Sequence, residues 1–109
     1  MNPANVIRER TSKLTDLPNI GKAMACDLRL LGIVEPHQIE GRCPLEMYRD
    51  LCLKTGRRHD PCVIDVFMSV ASFVAGNVAE PWWHFTAERK RLLGGNLLSR
   101  EAGPEAFQP

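Results

Sequence analysis

The sequence lacks long apolar runs and any marked excess of charge of one sign. No stretch approaches the roughly 18 apolar residues of a membrane-spanning helix, and the charged N-terminal segment is unlike a secretory signal. The 14 Lys and Arg residues against 13 Asp and Glu give a formal net charge of +1, far below that of proteins that coat nucleic acid without specificity. We therefore expect a cytoplasmic protein with no membrane contact, in which any contact with DNA is local.

Signatures of common enzymes are also missing. The 3 histidines are scattered along the chain. The sequence contains neither the glycine-rich loops of nucleotide-binding proteins nor the Gly-x-Ser-x-Gly turn of hydrolases. These absences favour a binding module over an enzyme and predict no cofactor.

The chain of 109 residues has room for one compact domain. No segment alternates apolar and polar residues for the length of a convincing strand, whereas helical spacing recurs throughout. We therefore expect an all-α fold of about five short helices. The domain is expected to span residues 1–93, with a flexible C-terminal tail over residues 94–109.

Proline and glycine divide the first half of the chain into short segments. One or two helical segments are expected over residues 6–17 and a short helix over residues 22–31. Gly32 is expected to close that helix in a left-handed conformation. A further helix is expected to begin at Pro44 and to end at Gly56.

The most hydrophobic helix of the chain is expected after Asp60 and Pro61, which form an N-cap and first-turn pair. We predict that this helix lies at the centre of the core. Its expected core residues are Val63, Val66, Phe67, Val70 and Val74. Thr86 is expected to cap a last helix that runs to Leu93.

The stretch from Leu14 to Ile33 carries the most specific pattern. It has a leucine before Pro-Asn-Ile-Gly at positions 18–21, small residues early in the following helix, and the ending Leu-x-x-Leu-Gly-Ile. This pattern resembles the helix-hairpin-helix (SAM-like) motif, and the resemblance implies two helices that are joined by a tight turn and contact DNA.

Each position of this pattern has a physical role. Ile20 is expected to fill the space between the two helices, and Gly21 to let the backbone turn and approach a partner. Asn19 stands where the motif commonly has glycine, and Asn tolerates positive φ better than most residues. Ala23 and Ala25 are expected to permit close helix packing.

The helix that begins at about Lys22 should point its unpaired N–H groups and the positive end of its dipole outward. That arrangement suits one backbone phosphate, with Lys22 and Lys13 supplying charge and Pro18 helping to shape the loop. Contacts of this kind read phosphate and not base identity, so the binding should be sequence-independent and sensitive to salt. In the alternative interpretation the hairpin is purely structural, and the domain is an adaptor that docks a protein partner.

A second phosphate contact is suggested by Arg57 and Arg58, which precede the helix at Pro61. Paired hairpins can hold phosphates of both strands. Against this, two arginines in a turn are usually solvated, and Asp60 occupies the position that an anion would approach.

The cysteines are expected to be reduced packing residues, because nothing indicates secretion. Cys43, Cys52, His59 and Cys62 are an acceptable set of zinc ligands by residue type, but their spacing matches no known zinc motif. A zinc-stabilised domain is therefore a minor alternative.

An aromatic patch at Trp82, Trp83 and Phe85 directly precedes the basic run 89–91. The tryptophans could stack on unpaired bases, but we expect them to cover a small core instead. The basic run is either a solvated helix face or a secondary electrostatic contact.

Taken together, the hairpin, the helix at 44–52, the segment 55–67 and the Pro-Trp-Trp at 81–83 resemble a bacterial family of small pathogenicity-locus proteins, also labelled mitomycin-resistance proteins. The resemblance implies a helix-hairpin-helix domain with a role in DNA binding or repair. We therefore expect a module that binds the phosphate backbone of DNA weakly.

Overall fold

The computed structural model describes residues 6–94, and all regular structure in that range is helical. The α-helices are α1 (Lys22–Leu30), α2 (Pro44–Thr55), α3 (Cys62–Val74) and α4 (Thr86–Gly94). Single 3-10 helices lie at Arg8–Arg10, Leu14–Asp16, Pro36–Ile39 and Trp82–Phe85. The all-α prediction is confirmed. The expected C-terminal tail after Gly94 lies outside the described residues.

The described range contains four α-helices and not the expected five or so. The difference arises before Pro18, where residues 6–17 form two 3-10 turns separated by extended backbone at Thr11 and Lys13. Segments this short gain too few hydrogen bonds to offset the cost of nucleating an α-helix.

Helix α3 lies at the centre of the core, as predicted. It packs against α2, α4 and the 3-10 helices at Pro36–Ile39 and Trp82–Phe85. Of the expected core residues, Phe67 and Val70 are fully buried, whereas Val63, Val66 and Val74 are half-buried and pack against the core. Ile64 and Phe73 are also buried in the core, which the prediction missed.

The predicted helix boundaries follow local chemistry. Gly32 has φ 82°, and the Ile33 N–H donates to the Leu28 carbonyl at 3.0 Å, which closes α1 in a Schellman motif. Gly56 ends α2 with φ 70°. The Asp60 carboxylate accepts a hydrogen bond from the Cys62 N–H at 2.8 Å, so its capping role is confirmed.

The predicted cap at Thr86 is wrong. Thr86 is the first residue of α4, and its hydroxyl donates at 2.6 Å to the carboxylate of Asp65, which is fully buried on α3. Arg89 Nε donates to the same carboxylate at 2.9 Å. A buried charge must find partners, so Asp65 takes both side chains and fastens α4 to α3.

This ion pair also corrects the expectation for the basic run. The Arg89 side chain is only 11% exposed, and its hydrogen bond to Asp65 raises the Arg89 pKa. Arg91 pairs with Glu88 at 3.0 Å on the surface, and Lys90 is exposed. The run is therefore not a continuous solvated basic face.

Candidate nucleic-acid interface

The segment from Leu14 to Ile33 consists of a 3-10 helix, a turn and α1. The turn is anchored in the core by Leu17, Pro18 and Ile20, which are all buried. Ile20 is completely inaccessible, as expected for a residue that fills the interior of the turn. The first helical element of this segment is only the 3-10 helix Leu14–Asp16 and not an α-helix.

Asn19 gives the turn its shape. It has φ 67°, and among the described residues other than glycine no further residue has positive φ. Its side-chain Nδ2 donates to Ser69 Oγ at 3.0 Å and to the Glu80 carbonyl at 2.8 Å. Asn19 therefore fixes both the backbone of the turn and its attachment to α3 and to the segment before Trp82.

Gly21 plays a different part from the expected one. Its φ of −97° and ψ of −167° are extended values that any residue adopts, so the turn does not depend on glycine here. A Cβ built on Gly21 would meet nothing within 4 Å. The position opens onto free space at the start of α1. Of the two small residues expected to pack, Ala25 is buried but Ala23 is exposed.

The N-terminus of α1 is open. Gly21 at the N-cap provides no side-chain hydrogen bond, and the first turn contains no acidic residue. The other three described α-helices each carry an acidic residue in the first turn, namely Glu46, Asp65 and Glu88. Because the first N–H groups of a helix have no intrahelical partner, α1 presents them together with the exposed Lys22.

Lys13 lies at the start of the 3-10 helix and is exposed. The Asp16 carboxylate accepts hydrogen bonds from the backbone N–H of Lys13 at 2.9 Å and of Ser12 at 3.0 Å, which lowers the Asp16 pKa. Asp16 therefore remains charged beside Lys13 and offsets part of its positive field.

Arg57 and Arg58 lie exposed in the loop between α2 and α3. The N-terminus of α3 is already occupied by the carboxylate of Asp60, so it offers no second anion site of the α1 kind. A phosphate contact in this loop would therefore come only from the Arg57 and Arg58 side chains, of which Arg58 also interacts with the Tyr48 hydroxyl.

The loop that carries these arginines is anchored through His59, which is buried. His59 Nε2 lies 2.8 Å from Thr55 Oγ1, and the Tyr48 hydroxyl donates to the His59 carbonyl. Burial lowers the His59 pKa, the charge of Arg57 lowers it further, and the charge of Asp27 raises it.

The residues considered as zinc ligands do not form a site. Cys52 is buried and Cys62 is half-buried, but Cys43 and Cys26 are exposed, so the expectation that the cysteines are packing residues is wrong for these two. Within residues 6–94 no three side chains of His, Cys, Asp or Glu are grouped so that they could hold a metal ion. Burial raises the pKa of the Cys62 thiol, as expected for a packing residue.

The aromatic patch covers the core only in part. Trp82 is half-buried, whereas Trp83 is 62% exposed and contacts Trp82 edge to face, with ring centroids 5.6 Å apart. The expectation that both tryptophans cover the core is therefore wrong for Trp83. The sequence carried no signal that the Asn19 side chain would donate to the Glu80 carbonyl, in the segment that precedes this patch.

The described residues thus form an all-α structure with an open helix N-terminus at Gly21 and an exposed tryptophan at Trp83. A model of the pathogenicity-locus family, Cdd1, matches residues 7–91, and the chain belongs to this family. The mitomycin resistance protein McrB of Streptomyces lavendulae is similar to it, with 42% identity over 92 residues that cover 84% of this chain and 88% of the relative.

No solved structure matches the chain. None of the helices in the described range is both long enough and apolar enough to cross a membrane.

Proposed function

We propose that this protein is a DNA-binding module that contacts backbone phosphates through the N-terminus of α1, without reading base sequence. In this proposal Leu14–Ile33 is a helix-hairpin-helix element in which the first helix is reduced to a 3-10 turn. The observation that carries the proposal is the open start of α1, which has an exposed Lys22, no acidic residue in its first turn and no capping side chain.

The chemistry of this helix end suits a phosphate group. The N–H groups at the start of α1 and the positive end of its dipole attract an anion, and the Lys22 ammonium adds a full charge. Lys13, Arg57 and Arg58 are exposed and are proposed to add weaker contacts to neighbouring phosphates. Since the net charge of the chain is only +1, the affinity should be modest and should fall as salt rises.

The open space at Gly21 supports the same proposal. The backbone conformation of Gly21 does not require glycine, and no atom of this chain approaches its missing Cβ. At the N-cap of a helix, a side chain lies close to the first N–H groups. The fold does not require glycine at position 21. The close approach of a phosphate to those N–H groups would explain it.

The name of the Streptomyces relative suggests the process in which this binding takes part. That protein is named for resistance to mitomycin. We propose that phosphate binding by this chain serves resistance to DNA damage or DNA repair, and that the protein acts as a binding component and not as an enzyme.

Fluorescence anisotropy with a labelled DNA duplex at about 50 and 200 mM salt tests the phosphate contact. We expect Lys22→Glu to weaken binding to all duplex sequences alike and to reduce the slope of log affinity against log salt by about one. Lys90→Glu is the matched control, because it changes the net charge equally at an exposed position of α4. Equal affinities for the two variants would refute the proposed site.

Gly21→Ala tests the same site without a change in charge. Because alanine meets no atom and needs no strained backbone here, the thermal stability should stay the same or rise slightly. The affinity for the duplex should nevertheless fall. An Ala variant with unchanged affinity would mean that the phosphate does not approach α1 at this position.

The alternative function is a protein-interaction adaptor in which the hairpin is purely structural. The observation in its favour is the exposure of large apolar side chains at Leu53, Val78 and Trp83. The absence of DNA binding by the unmodified protein at low salt would favour the adaptor.

A further inference from the structure

A hydrogen bond that spans 61 residues of sequence links the turn at Asn19 to Glu80, in the segment that precedes the exposed Trp83. Asn19 Nδ2 donates to the Glu80 carbonyl at 2.8 Å, and Trp83 follows Glu80 by three residues. At full extension, three residues span at most about 11 Å and the two residues from Asn19 to Gly21 about 7 Å. The Trp83 backbone therefore lies within roughly 25 Å of the start of α1.

The Trp83 ring is available to a ligand and is carried by an element that packs on α3. It is 62% exposed, although tryptophan normally buries much of its large surface in a domain this small. The half-buried Trp82 supports it from one side, with an interplanar angle of 83°. The 3-10 helix that carries both residues packs on α3. A large exposed aromatic ring on a packed element is the kind of surface on which nucleic-acid bases stack.

We infer that the ligand of this protein is DNA with unpaired bases, bound with a phosphate at the N-terminus of α1 and a base stacked on Trp83. The inference rests on the proposed phosphate contact and adds the class of DNA to it. Bases inside a duplex are stacked on each other and offer no free face to a tryptophan. A single strand or a duplex with a single-stranded end offers both the phosphates and the free bases, and a few nucleotides cover the distance.

The charged groups near Trp83 in the sequence are Glu80, which would repel a phosphate, and His84. Glu80 accepts the Asn19 hydrogen bond through its carbonyl, and its carboxylate lies 3.8 Å from His84 Nδ1. The exposed His84 thus offsets the negative charge of Glu80 when its ring is protonated. Stacking on Trp83 involves the ring face and needs no charge, so it complements the cationic contact at Lys22.

The test compares a labelled 20-nucleotide oligothymidine with a duplex of equal length by anisotropy at low salt. The unmodified protein should bind the single strand more tightly. Trp83→Ala should weaken single-strand binding by roughly 5- to 150-fold, the range expected for loss of one stacked base, while duplex affinity changes little. Trp83→Phe should retain most of the affinity, because phenylalanine keeps an aromatic face.

Two controls make the result specific. Leu53→Ala removes an equally exposed apolar side chain from α2 and should leave both affinities unchanged. In a Trp82→Phe variant Trp83 is the only tryptophan, and its fluorescence should be quenched when oligothymidine binds.

The outcomes separate this inference from the proposed function. If both DNAs bind and Lys22→Glu weakens both, but Trp83→Ala affects neither, the phosphate site stands and the stacking inference is overturned. If neither DNA binds, both fail together. If Trp83→Ala weakens duplex and single-strand binding equally, Trp83 acts without unpaired bases and the assigned class of DNA is wrong.

Discussion

The buried ion pair between α3 and α4 gives the most quantitative prediction. The Asp65 carboxylate is fully buried and accepts hydrogen bonds from Thr86 at 2.6 Å and from Arg89 Nε at 2.9 Å. In Arg89→Met the carboxylate loses the one cationic side chain that pairs with it in the part of the chain that the structure describes. It is also too deeply buried to be solvated by water. Breaking a buried pair from one side costs about 3–5 kcal/mol, a large part of the stability of a small domain.

The two partners are not equivalent, and this asymmetry can be tested. In Asp65→Asn the amide oxygen can still accept from Thr86, and the guanidinium of Arg89, whose side chain is 11% exposed, keeps some contact with water. We expect a loss of only about 1–2 kcal/mol for Asp65→Asn. The double variant Asp65→Leu/Arg89→Met removes both charges and should lose less stability than Arg89→Met alone.

Urea unfolding at pH 7, followed by circular dichroism, measures these differences, and thermal unfolding provides a second readout. A loss of 3 kcal/mol should lower the Tm by roughly 12 °C or more in a domain of this size. Lys90→Met is the matched control, because Lys90 is exposed beside Arg89, and it should change stability by less than about 0.5 kcal/mol. An Arg89→Met variant as stable as the control would refute the argument that Asp65 depends on this pair.

Two further predictions concern the turn at Asn19 and the cap of α3. Asn19→Ala should lower the free energy of unfolding by about 2–4 kcal/mol, because it removes two side-chain hydrogen bonds and places alanine at a φ of 67°. Asn19→Gly should lose about 1 kcal/mol less, because glycine adopts that φ without strain. Thermal unfolding of both variants checks this, and equal losses would contradict the role of φ. Asp60→Ala should lose about 1 kcal/mol at pH 7, whereas Asp60→Asn should lose less. The hydrogen bond from the Cys62 N–H lowers the Asp60 pKa, so the cap stabilises the fold above about pH 3.9 and loses its effect as the pH falls through the folded-state pKa. Urea midpoints from pH 7 down to pH 3 that keep a constant gap between Asp60→Ala and the unmodified protein would contradict this.

The sequence alone determined the features that depend on short-range chemistry. Gly32 and Gly56 end helices because glycine adopts positive φ at little cost, and Asp60 caps α3 because its carboxylate reaches an N–H two residues away. The all-α class followed from helical spacing, and the family followed from the order of its motifs. None of these features needs a contact between distant segments.

Tertiary structure decided the roles that depend on distant partners. Thr86 and Arg89 turn inward because Asp65, more than twenty residues earlier, is buried and must be paired. Gly21 lies in extended backbone because Asn19 makes the turn and is held by Ser69 and Glu80. The hydrogen bond from Asn19 to the Glu80 carbonyl links this turn to the segment that precedes Trp83, across 61 residues of sequence. No local pattern specifies a contact over that separation.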